Sequence, residues 1–339
     1  MRIAVVGLGI AGLSVCARLA LAGHDVSGFD QFEPMHANGS SHGDTRIMRL
    51  TPGEGEIYVK LARRAHEIWR TWEGLAGRPF IEWTGGLMAG PRGSPFVAAS
   101  QRLSHTPAAI MRGDAVHAMT RGYIAMPYEW DVFRQADAGV IAADAVRAFL
   151  LKQAPRWGAK LHHSARIEAP IDGLVLKIND EARAFDVVIV AAGGWARKLL
   201  PEFAGKLAVK RRVVGWFESP NPRMAPVICA DNDEGVYGMP APRGFISLAC
   251  TPSAAQPILT TCANRMPRMQ HCSANMRVCC CQRTNPNLCA WRVASTRSRP
   301  TNISSSRRAA STIAFCCSQP APVTASNSRR CLAPSPKIG

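Results

Sequence analysis

From Thr251 to Gly339 the chain has no Asp, no Glu and no Tyr, and its one Gly there is the final residue. A stretch without carboxylates can supply neither a carboxylate acid or base nor an internal ion pair, so chemistry of that kind must reside in residues 1–250. The whole chain also lacks any uninterrupted apolar run of the roughly 18 to 20 residues that span a bilayer, which excludes a membrane-spanning helix from expectation. Tyrosine is scarce, with 4 in 339 residues.

What the last stretch does have is nine of the twelve Cys, eleven Arg and one Lys. It carries 12 of the formal +17 charge and leaves +5 for residues 1–250, so the basic character is a local property. A nucleic-acid site would show clustering on one face, Gly-Arg repeats or interleaved aromatics, and none is present, so no specific nucleic-acid partner is expected. Cys279, Cys280 and Cys281, with Cys272 and Cys289, lack the paired CxxC spacing of a structural zinc site, and no metal is expected.

The first 250 residues read as alternating helices and strands. "RIAVVG" (2–7) is a β-branched run ending in Gly, residues 10–22 an Ala- and Leu-rich helix, and "HDVSGFD" (24–30) a second strand, together a βαβ unit. The opening resembles a signal peptide in having one Arg before an apolar run, but its Gly spacing and the acidic residue beyond it favour a nucleotide-binding unit. A cytoplasmic chain with reduced thiols is expected. Residues 58–77 place Leu61, Ala65, Ile68 and Trp72 on one helical face, and the stretch 142–161 repeats that pattern in a helix with Asp144 near its start and Gly158 at its end, a strand following at 160–167. "GLVLKI" and "AFDVVIVAAGGW" predict a hairpin strand and a buried strand entering a Gly turn. "RRVVGWFES" and "GFISLAC" alternate as antiparallel strands do.

Two motifs carry chemistry. Gly7-Leu8-Gly9-Ile10-Ala11-Gly12 is followed 18 residues later by Asp30, at the tip of the second strand. Glycines at this spacing permit a tight turn, close approach of a pyrophosphate and close helix packing; the helix N-terminus offers free N–H groups, and Asp30 accepts from ribose hydroxyls. That spacing predicts a dinucleotide and leaves FAD and NAD both open. The second motif, "GSSHGDTRIMR" (39–49), is a polar turn-forming loop ending in two Arg three apart, whose plain reading is a solvated turn with Arg on a helix face.

"DQFEPMHANGSSHGDTRIMRL", "YVKLARRAHEIW", "GGLMAGP", "QADAGVIAADAVRAFL", "VVIVAAGGWARKLLP" and "YGMPAP" resemble the monomeric sarcosine oxidase and N-methyltryptophan oxidase family, within the D-amino-acid-oxidase-like flavoenzymes. The likeness covers residues 1 to about 250. It implies an α/β fold: an FAD-binding Rossmann-like domain with a three-layer core (about 1–80 and 140–205) and a mixed-sheet substrate domain (about 81–139 and 206–250), interleaved in sequence.

By this resemblance Gly7, Gly9, Gly12 and Asp30 hold the ADP half of FAD, while Ser41, His42, Thr45 and Arg46 lie along the flavin. Ala192, Gly193, Gly194 and Trp195 form a second cofactor turn. Arg49 pairs with the substrate carboxylate, for which a planar two-pronged donor is suited. His42, Arg46, Arg49 and Tyr237 are the candidate catalytic residues, with Tyr237 either bordering the substrate or simply packed in the sheet. The implied reaction takes a hydride equivalent from the carbon beside a secondary amine; water hydrolyses the imine and oxygen is converted to hydrogen peroxide. The partners implied are a small amine and oxygen, and the oligomeric state stays open.

The sequence departs from the family in two ways. Where the family has a Lys in the strand after "YGFP", thought to assist oxygen activation, this chain aligns Ser247, a neutral group that cannot stabilise developing negative charge as a cation does. The Cys that tethers the flavin in a "CxYT" context and the "SGHGFKF" cofactor loop are missing from residues 251–339 as written. Read in a shifted frame, Val293 to Ser306 permits "CLYSLTPDEHFIV", Pro322 to Ile338 permits "GHGFKFAPVLGAIAKD", and Pro257 onward permits "DPD". This points to a frameshift near Cys250 and Thr251 and a non-native or disordered segment beyond. An FAD-dependent amine oxidase of impaired activity is thus expected, the alternatives being a flavin dehydrogenase that does not use oxygen and an inactive remnant.

Overall fold

The computed structural model describes residues 1–104, 108–120, 124–209, 214–218, 226–230 and 236–249, with the two-residue strands Arg292–Val293 and Ile313–Ala314. Expectations about the rest of the last segment, including its missing tether and cofactor loop, fall outside the described residues.

The chain opens with β1 (Arg2–Val6), α1 (Ile10–Leu21) and β2 (Asp25–Phe29). Successive β1 residues point to opposite faces. Ile3 and Val5 pack with Leu13 and Cys16 of α1, while Ala4 and Val6 pack with Phe29 on the other side. Burial of both faces is why the strand reads as one apolar run without polar alternation.

Next come β3 (Thr45–Arg49) and α2 (Glu56–Ala76), which stops at Gly77 in the left-handed conformation (φ 66°). Of the apolar face predicted for α2, Trp72 is buried, but Leu61 is 59% exposed. The cause is that core residues meet the helix around Ile68, Trp69, Trp72 and Ala76, in its C-terminal half. The expected helix face for Arg46 and Arg49 is likewise corrected, because both lie on the strand β3, held by antiparallel pairing with a later strand.

The middle of the chain forms β4 (Ile81–Glu82), β5 (Gly86–Gly90), α3 (Pro95–Leu103), β6 (Ile110–Arg112), α4 (Gly113–Met119), β7 (Ile124–Ala125), β8 (Asp131–Gln135) and β9 (Ala138–Ala142). Then follow α5 (Ala143–Arg156), β10 (Lys160–His162), β11 (Val175–Ile178), β12 (Glu181–Ala184), β13 (Val187–Val190) and a one-turn α6 (Ala196–Leu199). The helix predicted to end at Gly158 ends at Arg156, one residue after Pro155, and the strand predicted over 160–167 spans Lys160–His162. The last elements are β14 (Val214–Glu218), β15 (Val227–Ala230), β16 (Tyr237–Ala241) and β17 (Phe245–Ala249).

These strands assemble into a parallel four-stranded sheet, β10-β2-β1-β13, with α1 and α5 on one face and the β11/β12 hairpin on the other. That is the three-layer α/β core. A seven-stranded mixed sheet, β14-β17-β16-β15-β5-β8-β6, has one parallel pair, β15 with β5. The antiparallel sheet β3-β9-β4 stands between them, its Val140 and Ile47 packed on Val227 and Met239 of the seven-stranded sheet. Among the described residues no helix is long and apolar enough to cross a membrane, and no group of three or more His, Cys, Asp or Glu could hold a metal.

Candidate functional site

The turn after β1 is built for close approach. Gly7 has φ +96°, and a Cβ there would lie 2.7 Å from the Ala191 carbonyl oxygen. A Cβ on Gly12 would lie 1.8 Å from the Gly7 carbonyl oxygen. The β1 turn, the start of α1 and the turn after β13 can therefore meet only without side chains at these positions.

The meeting point is a cavity of about 310 Å³ at the C-terminal edge of the parallel sheet. It gathers Gly7, Gly9, Asp30, Ser41 and His42 with Ala192, Gly193, Gly194 and Trp195. Gly12 supports this wall through Gly7. Asp30 is 8% exposed; its Oδ2 accepts from the Leu8 N–H at 2.8 Å and its Oδ1 from the Phe32 N–H at 3.0 Å. The carboxylate thus fixes the glycine turn as well as facing the cavity. Ser41 Oγ accepts from the Ile10 N–H at 3.0 Å, in the first turn of α1. That turn has no acidic side chain, so nothing there repels an anion.

Thr45 and Arg46 do not line this cavity. A separation of three along β3 sends Arg46 and Arg49 to opposite faces, since strand side chains alternate. The Arg46 guanidinium turns back to donate to the carbonyls of Ser40 at 2.5 Å and His42 at 2.7 Å, ordering the loop that bears Ser41. His42 is itself exposed, with Nδ1 2.5 Å from the Gly39 carbonyl.

Arg49 points to the seven-stranded sheet. Its side chain is 14% exposed, pairs with Glu54 at 2.5 Å, and sits 5.9 Å from the centre of the Phe96 ring and 3.8 Å from Met88 Sδ. Its charge acts on Cys229, whose thiol is pushed up by burial, with Arg49 opposing that rise. Cys229 is the ladder partner of Tyr237, so Arg49 and Tyr237 border the same region. Tyr237 is half-buried and packs with Val140, Val227 and Met239. Ser247 is 3% exposed and donates from Oγ to the Met239 carbonyl at 3.4 Å.

His36, Arg147 and Phe32 are among the cavity-wall residues that the sequence did not mark. Phe32 meets Trp195 edge-on with ring centres 5.5 Å apart and lies 4.8 Å from the His36 ring. Arg147 sits in a helix whose periodicity explains it as an ordinary helical position, so no local signal marked it.

A parallel sheet with a glycine-rich β1–α1 turn and an acidic β2 tip defines a dinucleotide-binding class of protein, here joined to a second sheet beside a sheltered arginine. The family model described as FAD dependent oxidoreductase matches residues 2–284, and the chain belongs to that family. It is 33% identical over 226 residues to monomeric sarcosine oxidase of Bacillus sp. (strain B-0618), covering 63% of this chain and 57% of that protein. Against N-methyl-L-tryptophan oxidase of Salmonella heidelberg (strain SL476) it is 29% identical over 220 residues, covering 63% and 59%. The chain therefore spans less than two thirds of the length of these curated relatives.

Glycine oxidase from Geobacillus kaustophilus superposes with a TM-score of 0.57 at 18% identity, over 75% of this chain and 73% of that one. L-Proline dehydrogenase from P. horikoshii gives 0.58 at 16%, over 75% and 71%. At such identities the likeness concerns the fold alone. FAD is the family's cofactor, and the residues present fit its ADP half: a cradle that tolerates no Cβ, an anion-compatible helix start and a buried carboxylate at the β2 tip.

Proposed function

We propose that this chain is an FAD-dependent amine oxidoreductase acting on a small N-substituted amino acid, as the names of its relatives suggest. The observation that carries this reading is Arg49: a sheltered guanidinium on the face of β3 away from Arg46, beside Phe96, Met88 and the Cys229–Tyr237 pair. A carboxylate entering there gains two parallel charge-assisted hydrogen bonds. Bound FAD supplies the two-electron acceptor.

The chain's own part is to bind, orient and shelter. Arg49 fixes the carboxylate, and with it the position of the carbon beside the amine. Tyr237 and Met239 wall the space, and the substrate amine must be unprotonated for its lone pair to form the C=N bond as hydride leaves the carbon. Water then hydrolyses the imine, and oxygen takes two electrons and two protons to become hydrogen peroxide. The division into FAD-binding parts 1–80 and 140–205 and substrate parts 81–139 and 206–250 belongs to the same reading, as does a cytoplasmic setting. So does impairment of the activity by the altered segment after residue 250.

Buried Ser247 favours a second reading. A neutral hydroxyl committed to the Met239 carbonyl offers no fixed cation for reduced oxygen species, which suits a dehydrogenase passing electrons elsewhere. The test is purification with its visible spectrum, followed by anaerobic mixing with sarcosine or N-methyl-L-tryptophan. Bleaching of bound FAD, then imine-derived aldehyde and peroxide in air, supports the oxidase; bleaching with slow recovery in air supports the dehydrogenase. Stoichiometric FAD that no N-methyl amino acid bleaches would sink the amine reading.

A further inference from the structure

Arg147 is the deeply buried cation of the cavity wall. It sits in α5, which packs on α1, and its side chain is 4% exposed. Nη1 donates to Asp144 Oδ1 at 3.0 Å, and Nη2 to the His36 carbonyl at 3.2 Å. Nε is buried and has no partner among the described residues. Asp144 is 39% exposed, so its charge is partly spent on solvent. A guanidinium held in this way is costly unless another acceptor completes its donor set.

The cavity supplies the place for one. Arg147 shares the wall with Gly9, Ser41 and the start of α1. Against the charge of a dinucleotide's pyrophosphate, the start of α1 offers only about half a positive charge. Arg166 and Lys198 also line the cavity, but both are exposed, where solvent and salt screen them.

We infer that Arg147 is a further cofactor-binding residue, its guanidinium taking a phosphate oxygen of the ADP half of FAD. The bond to the His36 carbonyl gives it a second effect, tying α5 to the segment between Asp30 and Ser41, so that both walls of the cavity are set together. The inference rests on the FAD reading of the cavity.

The test uses the full chain, with ADP and adenosine as probes in isothermal titration calorimetry, and thermal unfolding as a check on folding. Arg147→Met is expected to weaken ADP roughly ten- to hundredfold, the loss of one charge-assisted contact. Adenosine, which carries no phosphate, should change less than about twofold. Arg147→Gln retains a donor for the His36 carbonyl and loses the charge, so it should show the same difference if the Met variant does not fold. Equal losses for ADP and adenosine, or no loss of ADP, would overturn the role assigned to Arg147. Failure of the unsubstituted chain to bind ADP would overturn the FAD reading of the cavity itself.

Discussion

Arg49 and Glu54 form an ion pair, Nη2 to Oε1 2.5 Å, in which the arginine is 14% exposed and the glutamate 52%. The asymmetry makes Glu54 the displaceable partner: it lies on the connection between β3 and α2, while Arg49 is fixed at the end of a paired strand. A substrate carboxylate entering this region competes with Glu54 for the same guanidinium.

Glu54→Gln removes that competitor. The expected result is tighter binding of small carboxylate ligands, by roughly two- to tenfold, read from perturbation of the bound cofactor's spectrum. Arg49→Met should act in the opposite direction, raising KM by about ten- to hundredfold. Unchanged KM in the Met variant would remove Arg49 from the substrate site.

Gly12→Ala places a methyl group 1.8 Å from the Gly7 carbonyl oxygen, a backbone atom that cannot swing aside. Destabilisation of about 3 kcal/mol, the upper end for overpacking, is expected in urea unfolding, with loss of bound FAD. A variant as stable and as yellow as the parent would contradict the close packing of α1 on the β1 turn.

Gln135 is fully buried, and its Nε2 donates to Thr51 Oγ1 at 2.7 Å and Asp137 Oδ1 at 2.8 Å. This triad anchors the start of the segment that bears Glu54. Gln135→Leu should cost about 1–3 kcal/mol in urea unfolding, because Asp137 and Thr51 lose a buried donor. A loss below about 0.5 kcal/mol would show that the triad does not anchor the segment.

Cys16 is fully buried, and desolvation pushes its thiol up to about 12. Unfolding would release it at its ordinary value of 9.0, so between these limits the unfolded chain holds fewer protons. Stability is then complete below pH 9 and falls as pH rises toward 12, by on the order of 4 kcal/mol for this group. Cys16→Ala should flatten the alkaline limb of a stability-against-pH curve. On the acid side, Asp186 is held low by the Arg2 backbone N–H and Asp25 by Lys160, so their contributions fade as pH falls through those lowered values.

Replacing Ser247 by Lys probes the choice of electron acceptor. If the missing cation limits oxygen use, Ser247→Lys raises the rate of oxygen consumption by the reduced protein at least about tenfold. An unchanged rate in a folded variant would dissociate that position from oxygen chemistry.

Much of the cofactor half could be read from the chain by eye, because its determinants are local. A β-branched run, glycines required by a tight turn and an acidic residue at the next strand tip fix the β1–α1–β2 unit within thirty residues of the N-terminus. The fate of "GSSHGDTRIMR" was not local. Whether Arg46 and Arg49 share a helical face or part across a strand depends on pairing with β9, some ninety residues later. Arg147 and His36 lie 111 residues apart, and no periodicity in α5 announces their contact.

Residue types and short spacings thus determined the dinucleotide unit, because backbone conformation and turn chemistry act over a few residues. The tertiary structure decided which arginine faces the cavity, which faces the second sheet and which is bound to a loop carbonyl. Those outcomes depend on long-range strand pairing and on where buried charge finds a partner, which sequence-local energies do not encode.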